Sequence, residues 1–130
     1  MKKIKLTGLY LVLFSISVFA NTDIFDDIGG AIRTGDAGSI SKFFGANVDL
    51  TIVNQEEMYS KAQEEQLLKD FFSKNPPASF VIIHRGVSKE GSKYAIGNLT
   101  TVQGTIYRTY FYIKQNGNTS YIQELRFMVE

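Results

Sequence analysis

The sequence predicts an α+β domain, with helices first and a run of antiparallel strands after them. Apolar residues recur at helical spacing in the first half of the chain. The pair Pro76-Pro77 then stops helix formation. Beyond it, long alternating segments are separated by short glycine-containing turns.

Thr22 can cap a first helix, with Asp23, Asp26 and Asp27 suited to the positive end of its dipole. Ile24, Ile28 and Ile32 mark its buried stripe, and Gly35 ends it. Asp36 caps a second, shorter helix that buries Ile40, Phe43 and Phe44 and stops at Gly45. Residues 47–53 alternate: Val48, Leu50 and Ile52 face one way, Asp49 and Thr51 the other. A turn at residues 54–56 leads to a short strand over 57–59. Ser60 with Gln63 forms a capping box for the best-marked helix. Leu67, Leu68, Phe71 and Phe72 form its apolar face, and Glu65 can pair with Lys69 one turn on. Strands follow over residues 79–89, 93–102, 105–115 and 121–129. The turn Asn116-Gly117 is the strongest hairpin signal of the set. Four strands joined by tight turns make a meander, and the helices should cover one of its faces.

Residues 1–20 have the three parts of an export signal. Lys2, Lys3 and Lys5 give a positive start, an apolar stretch follows, and Val18-Phe19-Ala20 offers a cleavage site. The apolar stretch is shorter than the ~20 residues that cross a bilayer, so cleavage is expected rather than anchoring. The expected product is one domain over residues 21–130, periplasmic or secreted. Removing the signal leaves 11 basic against 13 acidic residues, so the charge moves from +1 to −2. No basic run remains, and nucleic acid binding lacks its electrostatic footprint. The chain has no cysteine, which excludes disulfides and thiol chemistry. Its 10 Phe and 7 Tyr must build the core by packing alone.

The order helix, helix, hairpin, helix, then four strands resembles the nuclear transport factor 2-like fold, which is also called cystatin-like. GDAGSISKFF (residues 35–44) looks like the opening of such domains. YSKAQEEQLLKDFFSKNPP (59–77), GSKYAIGNLTT (91–101) and IQELRF (122–127) resemble an exported Bacteroidetes family, domain of unknown function 4783. The resemblance spans nearly all of residues 21–130. It implies a cone-shaped roll, with N-terminal helices on a curved, mostly antiparallel sheet of four to six strands and a pocket between them. It implies no reaction. Ketosteroid isomerases of this fold use a carboxylate base with an oxyanion-stabilising Tyr. Asp49 is the carboxylate nearest to that role, but its alternation sets it opposite the apolar residues, and no isomerase residue is carried across.

His84 is the only histidine and a candidate general base, placed by alternation on the side of Phe80 and Ile82. The plainer alternative is a core or rim histidine held by one hydrogen bond. One histidine and no cysteine offer too few ligands for a tight zinc site, and no cofactor is implied. On the last two strands, Tyr107, Thr109, Phe111 and Ile113 share one side with Tyr121, Gln123, Leu125, Phe127 and Val129. Of these, Tyr107, Thr109, Phe111, Gln123, Leu125 and Phe127 are expected to line the pocket. The other side carries Arg108, Tyr110, Tyr112, Ile122, Glu124, Arg126 and Met128. That set suits a protein partner or a homodimer through the sheet, or else ordinary cross-strand pairing. The leading expectation is a non-catalytic binding module for a small apolar ligand or a protein partner. The alternative is a small isomerase, dehydratase or hydrolase using His84.

Overall fold

A computed structural model describes residues 23–130. The export signal at residues 1–20 and the cap at Thr22 lie outside the described residues. The elements run α1 (Ile24–Thr34), α2 (Ala37–Ser41), β1 (Phe44–Ile52), β2 (Gln55–Ser60), α3 (Lys61–Lys74), β3 (Pro77–Val87), β4 (Lys93–Thr101), β5 (Ile106–Asn116) and β6 (Thr119–Val129). The strands form one curved, open sheet in the order β2-β1-β6-β5-β4-β3. Its pairs are antiparallel except β1 with β6, which run parallel. The hairpins that build the meander are local. The parallel pair joins the two ends of the chain.

The helices form where caps and apolar stripes agree. The Asp23 carboxylate accepts from the Phe25 N–H at 3.1 Å and caps α1, whose Ile28 and Ile32 are fully buried. Gly35 closes α1 at φ 65, with its own N–H bonded to the Ile32 carbonyl and the Asp36 N–H to that of Ala31. Asp36 then accepts from the Ser39 N–H and caps α2. Helix α2 stops at Ser41, earlier than expected, and Phe44 and Gly45 already belong to β1. Gly45 is no helix stop. The Tyr121 ring lies against it, and an added Cβ would sit 2.7 Å from that ring. The capping box of Ser60 and Gln63 opens α3, and the Glu65–Lys69 pair is present at 3.7 Å.

The core lies between the helices and the inner face of the sheet. Leu68, Phe80, Leu99, Phe111, Leu125 and Phe127 are wholly enclosed there or nearly so. Phe71 stands at its centre, with ring centres 5.4 Å from Phe72, 5.2 Å from Tyr107 and 4.8 Å from Phe127. Two bulges change the expected facing, because one extra residue reverses every side chain after it. In β3 the register slips between Ile82 and His84, so His84 turns to the outer face. In β6 it slips where Ile113 meets Ile122 and Tyr112 meets Glu124. Ile122 therefore joins the core, while Tyr121 and Gln123 leave the inner side. The last hairpin turns at Gly117-Asn118, one residue later than expected, with only Gly117 at positive φ.

Glu64 is the surprise of α3. It lies on the same stripe as Leu68 and Phe71 and is fully buried, with neither carboxylate oxygen hydrogen-bonded. Burial, and secondly the negative charge of Asp49, push its pKa up to about 8. The fold therefore favours the neutral acid, and its contribution is fully present below the ordinary carboxylate range. That stability is lost as pH rises toward 8, because the unfolded chain ionises Glu64 freely and the folded chain resists. Glu64→Gln should thus be more stable than the parent at pH 8 and nearly equal to it at pH 4. Denaturant midpoints across that range test this, and parallel pH profiles would show that Glu64 does not carry the slope. Gly97 is constrained differently. A Cβ there would meet the Phe80 ring at 2.6 Å and the Val81 carbonyl oxygen at 2.8 Å. Gly97→Ala should cost ~1–3 kcal/mol, read as a fall in thermal midpoint followed by circular dichroism.

Candidate functional site

The best-formed cleft opens at the end of the roll where α3, the β1–β2 hairpin and the start of β5 meet. Its volume is about 250 Å³. Leu50, Ile52, Leu67 and Phe71 make an apolar floor. The floor exists because β1 sends alternate residues inward and α3 lays Leu67 and Phe71 across them. The β1–β2 turn forms one lip. There Val53 holds φ 60, a region that β-branched residues avoid, and its N–H donates to the Phe127 carbonyl at 2.7 Å.

The opposite lip is polar. The Tyr107 hydroxyl donates to Asn75 Oδ1 at 2.9 Å, and the Asn75 amide donates to the Phe71 carbonyl at 3.0 Å. These bonds tie the end of α3 to β5. Lys74 pairs with Asp70 at 3.0 Å on the exposed side. Tyr59 donates its hydroxyl to Glu57 at 3.0 Å, and that bond holds the phenol above its ordinary pKa. The cleft thus combines an apolar floor with neutral and charged groups at the rim.

Around Phe71 the space between sheet and helices is filled by side chains, and a second cleft of about 420 Å³ opens between α1 and β3 beside Phe25, Gly29, Phe80 and Ile82. Thr109, Phe111, Leu125 and Phe127 are fully buried core residues rather than pocket lining. The aromatic cluster around Phe71 occupies the space a ligand would need. Gln123 is on the outer face because of the bulge in β6. Of the six residues expected to line a pocket, Tyr107 alone borders the mouth cleft. Leu50, Ile52, Leu67, Phe71 and Asn75 went unassigned as lining. Their sequence signals mark ordinary core and helix-end positions, and only the arrival of the hairpin beside α3 leaves a gap between them.

His84 stands exposed on the outer face, its Nε2 3.0 Å from the Tyr94 hydroxyl. The Tyr94 ring lies flat on Gly86, where a Cβ would come within 2.0 Å of it. The expected facing of His84 is corrected: it stands off the Phe80 side and does not border the mouth cleft. Arg108, Tyr110, Tyr112, Glu124, Arg126 and Met128 do share the outer face. Arg126 pairs with Glu124 and lies 5.6 Å from the centre of the Tyr110 ring. Arg108 pairs with Glu130 at 2.5 Å. Burial, then the charge of Glu124, raises the Tyr110 pKa. Thr51 faces outward as expected yet is buried, and Asp49 is half-buried beside Glu124. Among the described residues, no group of three or more acidic, His or Cys side chains is placed to hold a metal.

The family described as Domain of unknown function (DUF4783) matches residues 25–128. The chain is similar in structure to a DUF4783 family protein from Bacteroides uniformis, at 27% identity and a TM-score of 0.77, with 83% of this chain and 98% of that one covered. A DUF4783 family protein from Bacteroides fragilis aligns at 28% identity and a TM-score of 0.73, covering 80% and 96%. An NTF2-like protein of unknown function from Shewanella baltica shares the fold at 10% identity, with a TM-score of 0.63 and coverage of 82% and 88%. No curated protein matches the sequence. The nuclear transport factor 2-like fold and the family resemblance read from the sequence are both correct, and the chain belongs to the DUF4783 family.

Proposed function

We propose that the protein is a non-catalytic binding module, exported with removal of residues 1–20, whose ligand site is the mouth cleft. One observation supports this reading above others: the apolar floor of Leu50, Ile52, Leu67 and Phe71 is left open beneath a polar rim, beside the packed aromatic cluster of the core. Its volume of about 250 Å³ is below the usual range for drug-sized ligands. The matching ligand is therefore an aromatic ring or short alkyl chain with a polar end left at the rim. The binding reading is preferred to the enzyme alternative because His84, the base that alternative would use, is exposed and paired with Tyr94 away from this cleft.

A second reading makes the outer sheet face a protein interface. Met58 is 67%, Val81 58% and Met128 40% exposed there, beside Tyr94, Tyr110 and Tyr112. Such a concentration of apolar surface suits a partner, and a homodimer through the sheet is one form of it.

The cleft is tested with anilinonaphthalene sulfonate, an aromatic anion whose fluorescence rises when it leaves water. The parent should bind it saturably. Leu67→Trp, which fills the floor from a half-buried position, should weaken binding by about tenfold or more while keeping the circular dichroism spectrum. No saturable binding by the parent, or equal binding by the folded variant, defeats the cleft reading.

A further inference from the structure

Two rows of side chains run side by side across the outer face. One row holds Tyr110, Arg126 and Thr51; the next holds Tyr112, Glu124, Asp49 and Met58. Arg126 joins them, since its guanidinium pairs with Glu124 and lies over the Tyr110 ring. One cation thus serves one carboxylate and one aromatic ring. The remaining carboxylate and ring, Asp49 and Tyr112, flank Glu124 on either side. Among the described residues, neither has a cation of its own.

The arrangement is unbalanced. Asp49 and Glu124 are neighbours across the parallel pair, and like charges so placed repel. Asp49 Oδ1 accepts no hydrogen bond although it is shielded from solvent. Asp49, Met58, Tyr112 and Gln123 border a cleft of about 310 Å³ at this spot. Past Met58 and Gln123 the surface continues as an apolar trough over Phe44, Ala46 and Tyr121.

We propose that this cleft receives an arginine side chain of a protein partner, paired with Asp49 and Glu124 and stacked on Tyr112, with an apolar neighbour of that arginine in the trough. The inference rests on the outer face being an interface and names what the interface recognises. Charge complementarity selects a cation. The Tyr112 ring selects a planar one, because a guanidinium both forks to carboxylates and stacks on aromatic faces. The Arg126–Glu124–Tyr110 group is the same contact already made within the chain. A protein source fits better than a free small cation. The cleft is a shallow depression on a sheet, whereas small-molecule sites bury most of their ligand, and the trough extends the surface beyond one side chain.

The test is a titration of the full described chain, labelled with nitrogen-15, with three probes. They are a capped Gly-Leu-Arg-Leu-Gly peptide, the same peptide with neutral citrulline for arginine, and methylguanidinium. The arginine peptide should shift the amides of Asp49, Tyr112 and Glu124 saturably. Citrulline should bind about tenfold more weakly or worse, and methylguanidinium weaker than the arginine peptide. Asp49→Asn, which breaks no hydrogen bond and relieves a repulsion, should fold and lose that preference for arginine. Tyr112→Leu should weaken the arginine peptide as an independent check. Equal binding by citrulline overturns the cation site but leaves an apolar interface. Methylguanidinium binding as tightly as the peptide makes this a site for free cations and overturns the docking. Self-association that buries these residues keeps the interface and assigns it to a second copy, against the proposal. No shift with any probe, from a monomer, removes both the site and the interface reading.

Discussion

The parallel pairing of β1 with β6 holds the two halves of this molecule together. Asp49 through Ile52 lie beside Glu124 through Phe127, and the pair is extended at its ends by the Val53 N–H bond to Phe127 and the Ile122 N–H bond to Phe43. Every other strand pair joins consecutive strands by a hairpin or short turn. This one closes some seventy residues of chain, a loop whose entropy only a well-packed partner repays. It brings the first hairpin and α3 against the meander. Leu50 and Ile52 of β1 then face Phe71 of α3 and Tyr107 of β5, which creates the mouth cleft. On the other side of the same pair, Asp49 comes to rest beside Glu124. Both candidate sites are consequences of one contact.

Aromatic content decides how much room is left inside. Here Phe71, Phe72, Tyr107 and Phe127 meet in a connected cluster, with Phe111 and Phe25 beyond it. Interiors pack to crystal-like density, and this cluster fills the space around Phe71. Free volume survives beside the cluster, at the mouth and between α1 and β3. Stability without disulfides and an inner pocket are competing uses of the same aromatic residues, and this chain spends them on packing.

Polarity inside the fold tells a related story. Glu64 occupies a stripe position that a leucine would fill at no electrostatic cost. The chain accepts a carboxyl there, held neutral by burial, and so carries a dependence on pH that its packing does not require. The outer face shows the converse. Its carboxylates and rings are only half-covered, and Arg126 balances Glu124 in the next row while Asp49 has no cation of its own among the described residues.

Periodicity, caps and turn residues were enough to read the order of helices and strands, the capping box at Ser60 and the close of α1 at Gly35, while the resemblance of residues 59–77, 91–101 and 122–127 pointed to the family. These are local properties, decided within one or two turns of chain. The faces of side chains beyond a bulge were not legible, because a bulge is a matter of pairing with another strand. Simple alternation sets His84 and Gln123 inward and Ile122 outward; one extra residue in β3 reverses the first, and one in β6 reverses the other two. The burial of Glu64 was equally hidden, since a glutamate in the first turn of a helix reads as a favourable surface charge until the fold encloses it. By itself the sequence determined an α+β chain of this family with an aromatic core. Only the tertiary structure decided that Thr109, Phe111, Leu125 and Phe127 are buried in the core, that a cleft lies at the mouth, and that Asp49, Glu124 and Tyr112 stand together. Those outcomes depend on which distant strand lies beside which, and no short-range pattern encodes the partner.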